Sequence, residues 1–451
     1  MSNCVVVGGG VAGLYSSILA AEHYDSVTLV EASSQCGGLL KSWKNDLGLN
    51  FDFGTHILSE TSNDEINAVL FKGIYENPDL WNSYDVTKVS NSFAGKLYDQ
   101  AQFIALHHLT DEDYKLALAE LLMAPGLSID STNNLYEYSL RNYGSCITEK
   151  VLRPLFRKMQ RAELEDLHPY IHFIFAFNRF ILGDKKLSQD LKTIDKFDQK
   201  LAFSSYYDGL SGAKKFYPKS NKGIELWIEY LCEQAQQKGV TFKLNSQVKG
   251  LVYSKGVVKS IRLSNDDTLS CDHVIWTIPP IFAINATGAK FTSTNKPEFC
   301  PMSLHHLVFD QPFLDKNYYS NINEPECDGF RVTFYPNLQD DYQGKFYHCT
   351  VEVLFSGYEG LALSNQIASE LKQLGYVHNK ANLVKSDYQN VPMGFPKFTN
   401  LFIDEKCRQI DFLNSLLSNI TLVGKSSRTE FFVYGILQEV YDSMKKQFNY
   451  E

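Results

Sequence analysis

The chain has 451 residues, of which 44% are hydrophobic and 13% aromatic, so it can bury a sizeable core and we expect two domains. Its formal net charge of −9 argues against a general nucleic-acid-binding protein, because affinity for a phosphate backbone requires clustered Lys and Arg.

The first predicted element is a short buried strand, Cys4 to Val7, which runs directly into a glycine-rich turn and an apolar helix. The turn has the spacing G-x-G-x-x-G and is typical of sites that bind the diphosphate of a dinucleotide. Gly8 permits the tight turn, Gly10 allows a diphosphate to approach the backbone, and Gly13 allows close packing of helix and strand. The predicted diphosphate contacts are Gly8, Gly10, Val11, Ala12 and Gly13.

A second predicted strand, Ser26 to Val30, ends at Glu31. An acid at this position suits the hydroxyls of an adenosine ribose, and we assign Glu31 and the adjacent Ala32 to the cofactor. Up to this point the pattern is compatible with NAD, NADP or FAD.

A second glycine pair, Gly37-Gly38, and the stretch Gly54-Thr55-His56-Ile57 follow. With these motifs the sequence resembles the flavoprotein superfamily of amine oxidases, protoporphyrinogen oxidases, carotenoid desaturases and UDP-galactopyranose mutases. The resemblance implies non-covalent FAD, with Gly38, Leu39 and His56 among its contacts. Many members have an arginine after the glycine pair where this chain has Leu39. The G-x-H-I stretch is most similar to the mutases, in which it passes over the flavin ring.

The resemblance also implies an α/β fold: a doubly wound, Rossmann-like FAD-binding domain of the glutathione-reductase type with an inserted mixed α+β substrate domain. We expect residues 1–90, 217–285 and 398–451 in the first domain, and residues 91–216 and 286–397 in the second. Val248 corresponds to a position at which relatives hold adenine through backbone groups.

Two groups of residues in the expected substrate domain are candidate ligand contacts. Arg153, Arg157 and Arg161 recur every fourth residue of a predicted helix and could hold a diphosphate, although such rows are more often solvated faces. Tyr206 and Tyr207 lie in a polar segment, residues 184–222, that we interpret as a long excursion or lid.

Arg331 and Tyr335 are four residues apart in a predicted strand, so we expect both side chains on one face. One could then pair with an anion while the other stacks on a ring. A purely structural cross-strand pair is the alternative.

Near the C terminus, a predicted strand ends at Gly424-Lys425, and a helix is predicted from about Val433. In the resembling mutases an arginine occupies the position of Lys425, and the amides at the start of the following helix face the flavin pyrimidine. By that likeness Gly424, Lys425, Val433 and Tyr434 are assigned to the cofactor.

The cysteines and the apolar segments indicate the cellular compartment of the protein. Nine cysteines at scattered spacings, without a C-x-x-C pair, predict reduced thiols, and we expect a cytoplasmic protein without a leader segment or a metal site. The longest apolar run, Ile171 to Leu182, is too short to span a membrane and is expected to form a buried helix, with peripheral membrane contact as the alternative.

Taken together, these features predict an FAD-dependent enzyme that acts on a small-molecule substrate, a sugar nucleotide or glycan precursor. Either hydride passes to flavin N5 with net oxidation, or a reduced flavin supports a redox-neutral mutase reaction. An oxidase or desaturase of an amine, porphyrinogen or polyene and a non-catalytic FAD-binding protein remain as alternatives. His56 is the candidate catalytic residue, against a structural role in the core.

Overall fold

The computed structural model describes residues 2–202, 213–219, 222–355, 360–428 and 430–448. The chain is of mixed α/β class, as the sequence predicted. Tyr206 and Tyr207 lie outside the described residues.

A five-stranded sheet, which we call the parallel sheet, contains the N-terminal strand at its centre. All of its pairings are parallel. Its strands read as short apolar runs because both faces are covered by other elements. In spatial order they are Thr241–Lys243, Ser26–Val30, Asn3–Val7, His273–Trp276 and Ile420–Leu422.

Helices cover one face of the parallel sheet. Helix Val11–Ala20 packs against helices Glu225–Gln237 and Val433–Phe448, and their apolar side chains form one core. On the other face lie an antiparallel meander and helices Pro280–Thr287 and Asn400–Leu416, which form a second core. The meander consists of Val248–Ser254, Val257–Leu263 and Thr268–Ser270.

A seven-stranded mixed sheet, which we call the large sheet, forms a separate layer. One of its faces packs on helix Gly360–Gln373, and the end that contains Met302 and Phe330 packs on a group of helices. In spatial order its strands are Leu383–Pro396, Phe299–Phe309, Tyr347–Leu354, Gly329–Phe334, Tyr319–Ile322, Val89–Phe93 and Lys96–Tyr98.

The helices beside the large sheet surround an apolar core that contains Leu152, Leu155 and Phe156. Pro154 stands in the first turn of helix Arg153–Gln160, where a missing N–H is tolerated, and a π-helical turn, Thr148–Leu152, precedes it. The helices here are Asp111–Met123, Leu135–Tyr143, Ser145–Ile147, Arg153–Gln160, Ile171–Ile174, Lys185–Leu191 and Asp195–Asp198.

The smaller elements complete the described fold. The remaining α-helices are Asp64–Leu70 and Lys72–Glu76. The remaining strands are Ser42–Lys44 with Asn50–Asp52, Ile104–Ala105 with Phe180–Ile181, and Lys215–Pro218 between Leu58–Ser59 and Trp81–Tyr84.

One local prediction was wrong. The segment from Ile171 is buried, but its helix ends at Ile174 because Ala176 adopts a left-handed conformation with φ of 59°, and a strand, Phe180–Ile181, follows. The expected excursion also contains regular structure, namely two short helices and the strand Lys215–Pro218. Among the described residues, no helix has the length and apolar character that crossing a membrane requires.

Candidate functional site

The glycine-rich turn lies at the carboxyl end of the central strand of the parallel sheet. Gly8 has φ of +105° and donates its N–H to Val30 O at 2.9 Å. A Cβ atom on Gly13 would lie 1.8 Å from Gly8 O, so only glycine fits there. A Cβ atom on Gly10 would meet no atom within 4 Å. Gly13 is therefore required by the fold, whereas Gly10 borders open space at the start of a helix.

Exposed apolar side chains lie at several of the positions assigned to the cofactor. A Cβ atom on Gly38 would approach only Gly10 Cα, at 3.6 Å. The neighbouring Leu39 side chain is 41% exposed, and Val433, at the start of the helix that packs on Val11–Ala20, is 49% exposed. Exposure of this kind fits an apolar ligand that covers these residues.

Glu31 is held beside the glycine-rich turn. Its carboxylate accepts hydrogen bonds from Gly9 N at 2.7 Å and from Ser33 N and Oγ at 2.8 and 2.7 Å. Ala32 follows it directly, and Ser246 N donates to Glu31 O at 2.9 Å, which brings the segment that leads to Val248 alongside. The acid and the start of the meander are thus neighbours at one edge of the parallel sheet.

The C-terminal turn meets the glycine-rich turn from the other side. Gly424 has φ of +67°, and a Cβ atom there would lie 3.2 Å from the Ala12 side chain. Lys425 N donates to Thr277 O at 3.0 Å. The Lys425 side chain is exposed, and desolvation lowers its pKa. Tyr434 Oη donates to Glu60 O.

His56 lies in a loop that begins at Gly54, which has φ of +115°. Desolvation lowers the pKa of His56, nearby Glu352 opposes this effect and Arg331 adds to it, so the imidazole is neutral at neutral pH. One ring nitrogen lies 3.3 Å from Phe53 O. The adjacent Thr55 donates its N–H and hydroxyl to Glu352 Oε1, both at 3.1 Å, which ties the loop to the large sheet.

Arg331 forms a bidentate ion pair with Glu352 on the neighbouring strand. Burial raises the pKa of Glu352, but the charge and hydrogen bonds of Arg331 outweigh it and the pKa is lowered. The predicted partnership of Arg331 with Tyr335 was wrong, because the strand ends at Phe334 and Tyr335 begins a 3₁₀ turn. The buried Tyr335 hydroxyl instead accepts from Asp52 N at 2.8 Å. The structural cross-strand pair, given as the alternative, is what Arg331 forms.

A cavity of about 70 Å³ adjoins Arg331, between the large sheet and the neighbouring helices. We call it the amide cavity, because three carboxamide side chains contribute to its wall. Its lining consists of Gln102, Met159, Ile174, Phe175, Ala176, Tyr319, Asn321, Asn323, Phe330, Arg331 and Phe395.

The arginine row is occupied by ion pairs. Arg153 contacts the carboxylates of Glu149, Glu163 and Glu165 at 2.7 to 2.9 Å. Arg157, whose side chain is 58% exposed, also pairs with Glu163. Arg161 lies beyond the helix and donates to Phe355 O at 3.1 Å. These partners favour the alternative of a structural, charged face over a diphosphate site.

Sequence reasoning missed Glu352 and the three amides of the cavity. Glu352 is the sole charged residue of strand Tyr347–Leu354. A carboxylate among apolar residues of a buried strand needs a partner, so this position could have been noticed. Gln102, Asn321 and Asn323 are ordinary polar residues in sequence, and only the folded chain brings them together.

Comparison with known proteins places these features in context. The profile of the flavin containing amine oxidoreductase family matches residues 11–342. No curated protein matches the sequence.

Several solved structures share the fold. A reduced UDP-galactopyranose mutase superposes with a TM-score of 0.75 at 15% identity, covering 100% of this chain and 96% of that chain. A protein from Exiguobacterium sp. 255-15 assigned as protoporphyrinogen oxidase gives 0.67 at 16% identity, covering 99% and 98%. An engineered putrescine oxidase gives 0.63 at 12% identity, covering 99% of each. At such identities the likeness concerns the fold and not the substrate.

Proposed function

Because the chain belongs to the flavin containing amine oxidoreductase family, we propose that it is an FAD-dependent oxidoreductase whose substrate is a hydroxyl-bearing small molecule of the sugar-nucleotide or glycan-precursor class. The observation that carries the proposal is the open space at the glycine-rich turn: a Cβ atom on Gly10 would meet no atom within 4 Å, and one on Gly38 would approach only Gly10 Cα, next to the exposed side chain of Leu39. Such space beside an apolar side chain suits a ligand that is polar at its diphosphate and apolar at its ring.

The residues around the glycine-rich turn suit FAD held without a covalent bond. Gly10 and the first amides of helix Val11–Ala20 would face the diphosphate, and Glu31 would accept from ribose hydroxyls. Val248 follows the segment that bonds to Glu31, and its backbone groups would hold the adenine. At the flavin end of the cofactor, Lys425 and the start of helix Val433–Phe448 would stabilise negative charge on the flavin ring. When bound, FAD supplies a two-electron acceptor.

The sheet arrangement supports the two-domain division. The parallel sheet takes its strands from residues 1–90, 217–285 and 398–451, and most strands of the large sheet come from residues 91–216 and 286–397. We therefore propose a Rossmann-like cofactor domain with an inserted substrate domain. The exception is Val89–Phe93, which begins before the proposed boundary and pairs with Tyr319–Ile322 in the large sheet.

His56 is the residue we propose for proton handling. Its loop is attached to the large sheet through Thr55 and Glu352, which holds the imidazole beside that sheet. Since its pKa is lowered, the neutral ring can accept a proton from a substrate hydroxyl. The Glu352 carboxylate would stabilise the imidazolium that results.

Two experiments test the proposal. The purified protein should bind FAD, show flavin absorbance and gain thermal stability on addition of FAD, because a ligand of the native state stabilises it. Anaerobic mixing with candidate sugar nucleotides and amines should then bleach the flavin with a hydroxylated substrate. A colourless protein that FAD does not stabilise would refute the proposal.

The same screen distinguishes the other reactions. Turnover of a sugar nucleotide only after reduction by dithionite, with no net change in the flavin, would identify a mutase. Bleaching by an amine alone would identify an amine oxidase. FAD binding without any turnover would leave a cofactor-stabilised binding protein.

A further inference from the structure

Two cysteine side chains meet beside the glycine-rich turn. Cys36 is buried directly before Gly37, and Cys232 is partly exposed on helix Glu225–Gln237. Their thiols are hydrogen-bonded to each other. Because the sequence contains no C-x-x-C pair, this dithiol arises only when the chain folds.

The packing of the helix on the segment of Cys36 holds the two thiols together. Ile228 lies one helical turn before Cys232, so both side chains project from the same face. A Cβ atom on Gly37 would lie 3.4 Å from the Ile228 side chain. Gly37 also has φ of +117°, a conformation that favours glycine. The contact between Ile228 and Gly37 therefore keeps Cys36 beside the helix face that carries Cys232.

Cys36 is also in contact with the turn that we assign to the diphosphate. A Cβ atom on Gly9 would lie 2.9 Å from Cys36 Sγ. Gly37 N donates to Gly9 O at 2.8 Å. A Cβ atom on Gly38 would lie 3.6 Å from Gly10 Cα. A displacement of Cys36 would therefore be transmitted to the backbone of the glycine-rich turn.

The two thiols differ in acidity. The hydrogen bond from Cys36 lowers the pKa of Cys232, although burial and the nearby Glu229 and Glu233 oppose this effect. The same hydrogen bond, together with burial, raises the pKa of Cys36. Cys232 is thus the group of the pair that ionises to a thiolate, while Cys36 keeps its proton.

Other cysteines of the chain lack this combination of features. Burial raises the pKa of Cys4 and of Cys300 to about 12 and that of Cys271 to about 11. Cys4 and Cys271 also interact with each other, but both are buried and both have a raised pKa. Since oxidants attack thiolates that solvent can reach, Cys232 is a better target than these three.

We infer that Cys36 and Cys232 form a redox-active dithiol, which a hydroperoxide converts into a disulfide, and that this disulfide weakens the binding of FAD at the glycine-rich turn. The effect on FAD rests on the proposed function, whereas formation of the disulfide does not.

The oxidation takes place in two steps. The Cys232 thiolate attacks the terminal oxygen of the hydroperoxide, so that an S–O bond forms, the O–O bond breaks and the departing alkoxide takes a proton from solvent to become an alcohol. The Cys36 thiol then attacks the sulfenic acid, so that the S–S bond forms, the S–O bond breaks and hydroxide leaves as water with the thiol proton. The two sulfurs together lose two electrons, and the hydroperoxide gains them.

The disulfide should alter the turn because it moves Cys36. Its two sulfurs would lie about 2.05 Å apart, closer than any hydrogen bond allows. Cys36 is thereby drawn towards helix Glu225–Gln237, which disturbs its contact with Gly9 and the hydrogen bond from Gly37 N to Gly9 O. Because the coupling is reciprocal, bound FAD should in turn oppose formation of the disulfide.

The experiment exposes the full-length, FAD-bound protein to tert-butyl hydroperoxide. Peptide mass spectrometry detects the disulfide, and flavin fluorescence on serial dilution gives the dissociation constant of FAD. We expect a disulfide between Cys36 and Cys232 and a dissociation constant raised by about fivefold or more, which dithiothreitol reverses. An excess of free FAD should slow the reaction.

Single variants separate the roles of the two thiols. Cys232→Ser should keep the FAD affinity of the parent and lose its response to the hydroperoxide. In Cys36→Ala the sulfenic acid has no second thiol to react with, so dimedone should label Cys232. Cys407 is the matched control, because it is also a partly exposed helical cysteine but lies on helix Asn400–Leu416. Cys407→Ser should respond to the hydroperoxide as the parent does.

Three results would overturn the inference. One is a treated protein in which Cys36 and Cys232 do not become joined, whether both stay reduced or Cys232 passes to a sulfinic acid. The second is a disulfide that leaves the affinity for FAD unchanged. The third is a loss of affinity that persists in Cys232→Ser. Failure of the proposed function is distinct, because it would appear as failure of the untreated protein to bind FAD, and the disulfide can still be assayed in that protein.

Discussion

Arg331 and Glu352 face each other across two antiparallel strands, and the guanidinium donates to the two carboxylate oxygens at 2.7 and 2.8 Å. The same carboxylate accepts from Thr55, which belongs to the loop of His56. One ion pair therefore joins the large sheet to the loop that we propose for proton handling. Its removal should affect both stability and chemistry.

Replacing Arg331 alone should destabilise the protein strongly. The Glu352 side chain is 2% exposed, so Arg331→Met leaves a buried, uncompensated carboxylate, at a cost of about 3–5 kcal/mol in the free energy of unfolding. The double variant Arg331→Met/Glu352→Leu should recover much of this loss. Urea unfolding of both variants provides the measurement, and a single variant at least as stable as the double one would contradict the argument.

Gly10 and Gly13 should separate cofactor binding from folding. Gly10→Ala places a methyl group in open space, so its free energy of unfolding should lie within about 1 kcal/mol of that of the parent. It should nevertheless bind FAD roughly tenfold more weakly. Gly13→Ala places a methyl group against Gly8 O and should prevent correct folding. Flavin titration and thermal unfolding check both. Equal FAD affinity in Gly10→Ala and the parent would argue against a diphosphate at this turn.

Stability should fall as the pH is lowered below about 6.5. Burial lowers the pKa of several histidines, among them His172, His273, His305 and His306, each to about 4, and His348, to about 3. Between pH 6.5 and 4 the unfolded chain therefore binds more protons than the folded chain, so the free energy of unfolding decreases as the pH is lowered. Asp52 opposes this, because burial raises its pKa to about 6.

His305→Gln tests the origin of this pH dependence. His305 is 1% exposed and its ring nitrogens contact the hydroxyls of Ser303 and Ser364, contacts that an amide can partly replace. The variant should reduce the slope of stability against pH by up to about 1.4 kcal/mol per pH unit. Urea unfolding at pH 7 and pH 5 gives the slope, and an unchanged slope would assign the effect to other groups.

Lys158→Met should loosen the segment that contains Asn323. The substitution removes a donor from three carbonyl oxygens, which we expect to cost about 2–4 kcal/mol in the free energy of unfolding and to speed amide hydrogen exchange at Asn323. Lys150 is the control, since its ammonium forms an exposed pair with Asp113, and Lys150→Met should change neither quantity measurably. If Lys158→Met and Lys150→Met had equal free energies of unfolding and equal amide exchange rates at Asn323, the role given to Lys158 would be refuted.

Local patterns predicted much of the fold. The strand Ser26–Val30 has the predicted bounds, because it depends on an apolar run and a terminal acid that are contiguous in sequence. The segment after Ile171 was mispredicted, because its apolar residues are buried from several sides and carry no usable period.

The sequence by itself determined the glycine-rich turn, the acid after the second strand and the family resemblance, because these features depend on residues close together in the chain. Only the tertiary structure decided what Arg331 contacts, how the His56 loop is anchored and where Asn323 lies. Thr55 and Glu352 are 297 positions apart, and no periodicity relates residues at such a distance. Their pairing follows from the packing of the large sheet against the loop, where buried polar groups must find partners.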